Sequence, residues 1–400
     1  MRKKVLISGA SIAGPALAYW LARYGYEVTV VERAQSIRPG GQAVDFRGHV
    51  HLSVLEKMGI LEEVHRRRTG NGDLHMVDDQ GHDLVRLPAS FTGGEVEILR
   101  GDLAAILYDL TRDAVRYVFD DSISELVDTG DAVRVTFERG VSEAFDLVIG
   151  ADGLHSNVRR LAFGPESEFV HDTGYHVAIF EAPNRLRLHR DVMLYSEPDR
   201  GLSVYPIHDD TAANVMCVFA ADVGNIDRQD VDGQKRLVAG AFAGMGWHSG
   251  QVLADMAEAP SFYFDTISMV KMDSWTKGRV ALLGDAGYGA TCGGMGTGLA
   301  VVCAYVLAGE LAAAHEHRTA FAAYEQRIAK LTKACQQVAG GVGSFFAPKN
   351  IRRRTWTFKV LTAGPMSRFL DKMTTKAATA IDLPAYPAAD VGSSAPLDPA

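Results

Sequence analysis

The chain has 400 residues, 47% hydrophobic and 22% charged, with 41 Lys and Arg against 49 Asp and Glu for a formal net charge of −8. That length exceeds a single small core and implies two joined domains, and the acidic balance leaves no basic stripe to neutralise phosphates, which excludes a nucleic-acid partner. Four scattered cysteines (Cys217, Cys292, Cys303 and Cys335) form no CxxC pair and no metal-ligand spacing, and neither a signal peptide nor an uninterrupted apolar run of about eighteen residues is visible, so a cytoplasmic protein without metal, with reduced thiols and no membrane partner is expected.

Residues 4 to 9 are an apolar run that reads as a buried parallel strand. Leu17, Trp20, Leu21 and Tyr24 recur at helical spacing over 13 to 24, Gly25 ends that helix, and EVTVVER is the next strand. The turn between first strand and helix, GASIAG, uses Gly9 for the bend and Gly14 for close helix–strand packing. Between them Ser11, Ile12 and Ala13 let backbone N–H groups at a helix N-terminus approach a pyrophosphate, and the Ser11 hydroxyl adds a donor. Glu32 lies eighteen residues after Gly14, beside Arg33, where a carboxylate accepts both ribose hydroxyl hydrogens and disfavours a 2′-phosphate. A glycine-rich turn alone is compatible with no ligand; strand, helix and acid together point to a nucleotide.

Further along, 50 to 68 reads as a helix interrupted near Gly59, and RGDLAAILYDL as a second amphipathic helix. Residues 115 to 153 alternate as a meander of strands with turns at DTGD and ERG, ending in DLVIGADGLHSNVRR. That last stretch is a strand, a turn and a helix, in which Asp152 could serve simply as an N-terminal cap. Residues 172 to 275 shift to β-rich segments followed by a helical stretch, marking a second domain on an antiparallel sheet. GRVALLGDA returns to the buried-strand style, and six glycines crowd into the thirteen residues after Asp285 before a helix begins. Such a loop exposes backbone N–H groups ready to stabilise negative charge; a merely flexible loop would not explain the strand–Asp–Gly-rich–helix order. Residues 299 to 340 are helical and Ala-rich, and the Pro/Ala/Ser-rich end reads as a disordered tail.

The three motifs, in this order and spacing, resemble the flavoprotein monooxygenases of the aromatic-hydroxylase type, which include para-hydroxybenzoate hydroxylase and the tetracycline-inactivating monooxygenases. GASIAG with VVER is similar to that family's FAD ADP-binding turn. GADGLHSNVRR is similar to its Asp-Gly segment, and GRVALLGDA to the segment whose aspartate contacts the flavin ribitol. EILRGDLAAIL resembles the family's Arg-x-x-Leu helix, implying Arg100 as an FAD contact, and PGGQAVDFRG its loop beside the flavin, implying Asp45 and Arg47. The likeness spans most of residues 3 to 340. It implies an α/β fold: a three-layer Rossmann-like FAD-binding domain (1–171 and 276–340) with an inserted antiparallel-sheet substrate domain (172–275). C-terminal helices (341–383) and a disordered tail (384–400) would follow. Implied cofactor contacts are Gly9, Ser11, Ile12, Ala13, Gly14, Glu32, Arg33, Asp45, Arg47, Arg100, Asp152, Asp285, Gly294, Gly296, Thr297 and Gly298.

The resemblance implies noncovalent FAD, transient NAD(P)H as donor, and O₂, with a flavin hydroperoxide inserting one oxygen atom into an electron-rich substrate. The helix N-terminus at 294 to 298 would stabilise charge developing on the flavin. Departures from the family's pattern are Tyr288 at a histidine position, no proline in 286–298, a loop one residue short, and Val302 and Cys303 where many members carry Glu-Asp. The substrate is expected to be aromatic or polycyclic, resembling the antibiotic-modifying branch, and the protein a monomer or weak homodimer. Pocket candidates on the second-domain sheet are Tyr175, His176, Phe180, Met193, Tyr205, His208, Met216 and Phe219, of which an alternating strand points only every other one inward. His176, Tyr205, His208 and Met216 are singled out among them, and for each a place in the packed sheet is the alternative. Two other functions stay open. One is a flavin-dependent halogenase, whose WxWxIP signature none of Trp20, Trp247, Trp275 or Trp356 supplies. The other is a non-catalytic binder of an aromatic ligand, favoured only by the altered GYGATCGG loop.

Overall fold

A computed structural model describes residues 2–70, 72–207, 211–224, 227–291, 295–363 and 375–386. Its first sheet has six strands in the order Thr276–Lys277, Val280–Leu282, Leu147–Gly150, Lys4–Ser8, Glu27–Glu32 and Arg116–Phe119. All neighbours pair in parallel except the short Thr276–Lys277 strand. Both faces are covered, which is why these strands read as continuous apolar runs. Val5, Ile7, Val28, Val30, Leu147 and Ile149 pack toward helices Ala13–Arg23, Arg100–Thr111 and Gly296–Ala313. Leu6, Val31 and Val148 meet Val133, Val135 and Phe145 of a three-stranded antiparallel sheet spanning Ile123–Asp128, Val133–Phe137 and Ser142–Phe145. This is a three-layer Rossmann-like α/β arrangement, as the sequence implies.

The interruption near Gly59 is a helix end. Gly48–Met58 stops there because Gly59 adopts φ +75°, and a short helix, Leu61–Arg66, follows. The Ala-rich stretch 299–340 forms two helices, Gly296–Ala313 and His317–Ala339. Gly296–Ala313 is long and apolar enough to cross a membrane, although Glu310 interrupts its apolar run, and 78% of it is buried inside the molecule as a core helix.

The second sheet has seven strands, in the order Phe262–Val270, Val170–Pro183, Ala212–Ala220, Arg200–Ile207, Val192–Glu197, Leu74–Val77 and Asp83–Leu87. The last two strands lie outside the expected 172–275 segment. They join because Leu74–Val77 pairs in parallel with Val192–Glu197, a long-range register that no local pattern announces. One face of the sheet carries Ala178, Phe180, Val204, Val215, Cys217 and Phe219, which bury against helices Val231–Ala241 and Ser249–Ala257 through Val238, Val252 and Met256. The opposite face carries Val177, Ile179, Met216, Val218 and Ile267, which pack on Phe346 and Ala347, and Tyr205, which clusters with Leu99 and Ala43 of the first domain. Helices Val342–Phe346 and Ile351–Thr362 continue the chain.

The expected tail is held at its start. Pro384 O accepts from Tyr305 Oη at 2.9 Å, and Tyr386 lies on Gly309 and donates to Glu310 Oε1 at 2.6 Å. Residues 384–386 are therefore docked, and 387–400 lie outside the described residues.

Candidate active site

The cofactor turn is built by close approach. Gly9 has φ +107°, donates from its backbone N to Val31 O at 2.8 Å, and leaves no room for a Cβ against the Ala151 carbonyl. A Cβ at Gly14 would strike the Gly9 carbonyl oxygen. Helix Ala13–Arg23 begins at buried Ile12 without a side-chain cap, so its first N–H groups are left for an anion. Half-buried Ser11 accepts from Arg100 Nη1 at 3.2 Å. Glu32 is oriented from both sides: Oε2 accepts from Ala10 N at 2.8 Å and Oε1 from Ala34 N at 2.9 Å. Each oxygen keeps acceptor capacity for a ribose hydroxyl. Arg33 beside it is exposed.

At the far end of the cleft, Asp285 opens the short helix Asp285–Tyr288 after Gly284, whose φ is +66°. Its carboxylate is reachable from the cleft yet enclosed by the surrounding protein, and burial alone raises its pKa to about 6. The cleft wall continues through Gly289, Ala290, Met295, Gly296 and Leu299. Helix Gly296–Ala313 also starts without a side-chain cap, and a Cβ on Gly296 would stand 3.5 Å from Asp285 Oδ1. Thr297 is half-buried in its first turn. Gly298 packs directly on the His51 imidazole, with no space for a side chain. Gly294 lies outside the described residues.

Asp45 and Arg47 form a buried ion pair through Arg47 Nε and Asp45 Oδ2, and Arg47 Nη1 also donates to Ser90 O and Phe91 O. Burial lifts Asp45 to about 7 against the pull of Arg47, and its Oδ1 has no partner. His51 was not anticipated from sequence. It is fully buried, its Nδ1 accepts from Arg47 N at 3.1 Å, its Nε2 has no partner, and burial lowers its pKa to about 3, keeping the ring neutral. Its only sequence signal was an apolar helix position occupied by histidine.

The N-cap of helix Asn157–Ala162 is Ser156, whose Oγ accepts from Arg159 N at 3.0 Å; Asp152, outside the capping position its segment allowed, braces it by accepting from Ser156 Oγ and, at 3.0 Å, from Val158 N. Burial pushes Asp152 above the usual carboxylate range despite these donors. Fully buried Arg159 ties this segment to the Asp285 segment by donating to Ala286 O at 2.8 Å and Leu154 O at 2.6 Å. His155, two residues after Gly153, joins the domains: Nδ1 faces Glu166 at 3.1 Å and Nε2 faces Asp265, on the edge of the seven-stranded sheet, at 3.1 Å. Carboxylates only accept, so both ring nitrogens must donate for both contacts to be hydrogen bonds.

Strand alternation separates the pocket candidates. Tyr205, Met216 and Tyr175 lie on the face opposite the covering helices, Tyr205 and Met216 in the cluster that includes Leu99 and Ala43 and Tyr175 against Gly343. Phe180, Met193 and Phe219 lie on the helix-covered face. His176 belongs with the latter group, stacked 5.9 Å from Phe264, with Nε2 3.0 Å from Ala221 O and Nδ1 3.3 Å from Thr266 Oγ1. It is a satisfied histidine of the sheet and does not line the cleft, because its register partner Phe219 faces the helices. His208 lies outside the described residues. The face opposite the helices adds buried Asn214, whose Nδ2 reaches Gly41 O at 3.4 Å on the loop that packs on Arg100. Tyr288, at the altered histidine position, points into the core, with its hydroxyl 3.1 Å from that of Tyr324.

An uncapped helix behind a glycine turn, an oriented carboxylate at Glu32, and a cleft-exposed carboxylate at Asp285 beside a second uncapped helix fit an elongated dinucleotide with a polyhydroxylated centre. The cradle at Gly9 and Gly14 and the Asp285 carboxylate, which has no partner among the described residues, are the observations that pass this test. The fold and cleft define a dinucleotide-dependent oxidoreductase. The chain belongs to the FAD binding domain family, whose model matches residues 2–339. It is 48% identical over 330 residues to an uncharacterised protein of Mycobacterium tuberculosis, covering 80% of this chain and 88% of that one. It is 39% identical over 349 residues to a flavin-dependent monooxygenase of an unknown prokaryotic organism, covering 86% and 90%. The crystal structure of the tetracycline destructase Tet(55) superposes with a TM-score of 0.84 at 38% identity, covering 96% of this chain and 99% of that one. The protein is an FAD-dependent monooxygenase of the aromatic-hydroxylase type.

Proposed function

We propose that this monooxygenase holds FAD noncovalently, takes electrons from NAD(P)H, and hydroxylates a polycyclic, electron-rich aromatic molecule between the cofactor cleft and the seven-stranded sheet, in the cytoplasm. The observation that carries the substrate class is the sheet face opposite helices Val231–Ala241 and Ser249–Ala257, where Ile179, Tyr205 and Met216 are apolar and Asn214 reaches the Gly41 loop beside Arg100. Methionine adapts its shape and aromatic rings stack, which suits a wide planar ligand better than a single ring. The 38% identity to a tetracycline destructase supports the same reading.

The chain's own residues bind, orient and stabilise. Ser11, Arg100 and the first N–H groups of helix Ala13–Arg23 receive the pyrophosphate. Glu32 accepts from the adenosine ribose, and Asp285 from hydroxyls of the ribityl chain. The positive end of helix Gly296–Ala313 faces negative charge that develops during reduction. FAD held there would supply the redox chemistry, by which two electrons from NAD(P)H reduce O₂, one oxygen atom entering the substrate and the other leaving as water. Asp45, Arg47 and His51 shape the wall beside it.

The test is a substrate panel with coupled NAD(P)H and O₂ consumption, followed by mass spectrometry. Polycyclic phenols and tetracycline-like compounds accelerate consumption and gain one oxygen atom, whereas para-hydroxybenzoate does neither. Turnover confined to single-ring phenols overturns the substrate class and leaves the FAD assignment standing. Acid treatment releases free FAD; a yellow protein that retains its flavin through acid overturns noncovalent binding.

A further inference from the structure

Helix Ile351–Thr362 presents a face that the monooxygenase reading does not use. Residues 349–363 hold five cations (Lys349, Arg352, Arg353, Arg354 and Lys359) and no Asp or Glu. Since the whole chain has 41 basic and 49 acidic residues, the remainder holds 36 against 49. This helix is therefore a cationic island on an otherwise acidic molecule.

The helix is two-sided. Arg354 is turned inward, donating from Nη1 to Ser196 Oγ at 2.8 Å and Phe345 O at 2.9 Å, and Phe358 packs on Phe91 and Phe345. Arg352, Arg353, Trp356, Lys359 and Val360 are exposed. At 100° per residue they fall within an arc of about 120°. Trp356 is 68% exposed and Val360 42%, while Trp20 is buried and Trp247 and Trp275 are half-buried. A large aromatic ring standing in water beside an aliphatic side chain and ringed by cations is the pattern of a helix that lies in a membrane interface.

We propose that this face docks the enzyme on a bilayer containing anionic phospholipids. Trp356 and Val360 enter the headgroup boundary, and Lys349, Arg352, Arg353 and Lys359 meet the lipid phosphates. The acidic balance of the remaining chain keeps other faces off an anionic surface, so attachment has one orientation. A nucleic acid would engage the cations and leave Trp356 and Val360 in water, which makes it the poorer fit. The docking stands on charge and exposure, and does not depend on which substrate is oxidised.

The experiment sediments the full-length FAD-loaded enzyme with vesicles of phosphatidylcholine alone and with added phosphatidylglycerol, and follows tryptophan emission. Binding requires phosphatidylglycerol, weakens with salt, and shifts the emission to the blue; Trp356→Phe removes the shift. Each interfacial cation contributes about fivefold in partitioning, so Arg352→Ala with Arg353→Ala lowers it about 25-fold and the Lys replacements restore most of it. Flavin absorbance and turnover in vesicle-free solution are unchanged in these variants. Equal sedimentation with phosphatidylcholine alone, absence of binding, or a blue shift that survives in Trp356→Phe overturns the proposal. So does equal binding to an oligonucleotide, which identifies a general polyanion surface.

Discussion

Glu32 and Asp285, the two ends of the proposed cofactor site, are held in opposite ways. Two backbone N–H groups fix Glu32 before any ligand arrives, whereas Asp285 has no partner among the described residues, with its pKa raised by burial to about 6. Glu32→Ala removes an oriented charged acceptor, which corresponds to a loss of about 10–100-fold in FAD affinity. Asp285→Asn weakens FAD binding as well, yet its effect on the free protein has the other sign. A carboxyl whose folded pKa is raised costs stability as pH rises from its ordinary value, near 4, through about 6, because the folded state disfavours the ionised form. FAD-free Asp285→Asn therefore melts at a higher temperature than the parent above that window, and the two converge below it. Thermal denaturation on both sides of the window and a fluorescence titration with FAD check both statements; unchanged affinity in both variants would displace the site. These two residues were legible because a motif spacing carried them. His51 was not, since its role comes from Gly298 lying on its ring, 247 positions away in sequence.

At the scale of elements, the strands and helices with strong periodicity were readable, and alternation correctly implied that only part of the pocket candidates could face the cleft. Which part depended on the helices covering Phe180, Met193 and Phe219, and nothing in the strands themselves states which face is covered. Strands Leu74–Val77 and Asp83–Leu87 were not anticipated because four or five residues interrupted by charges give little period, and their place is set by pairing with Val192–Glu197. The Asp-Gly turn and the edge strand Phe262–Val270 are likewise joined by a contact no spacing shows, that of His155 with Asp265. Burial opposes ionisation of Asp265, but the His155 ring and the neighbouring donors hold it below the usual carboxylate range. A depressed carboxyl contributes stability that is present above its unfolded value and lost as pH falls through the folded one. Asp265→Asn thus lowers stability by about 1–2 kcal/mol near neutral pH, and the deficit shrinks below about pH 4. Denaturant melts across that range measure it; a deficit that does not vary with pH would mean that the carboxylate's charge is not what joins the two elements.

Across the whole molecule, the chain's last described segment packs on the first domain from outside. Ala377 and Ala378 are buried in the main core, Pro384 accepts from Tyr305, and Tyr386 covers Gly309 and donates to Glu310. Tyr305, Gly309 and Glu310 lie on the far half of the long core helix, about 14–21 Å from Gly296 at its cleft end, whereas Thr375 and Thr379 pack on Gly48 and Ala377 O faces Cys335 beside the cleft. At Tyr386, stability and cofactor binding are therefore separable. FAD, binding only the folded state, raises stability by mass action, by about 2.7 kcal/mol when its concentration is a hundredfold above the dissociation constant. Tyr386→Ala removes a half-buried ring and a hydrogen bond to Glu310, a loss of about 2 kcal/mol. Because Tyr386 itself does not reach the cleft, that loss is the same with and without FAD, and the increment FAD confers is unchanged. Paired melts of parent and Tyr386→Ala, each with and without saturating FAD, form a thermodynamic cycle that closes at zero coupling. A coupling of more than about 0.5 kcal/mol would mean that the core helix transmits strain from the strap to the cofactor end.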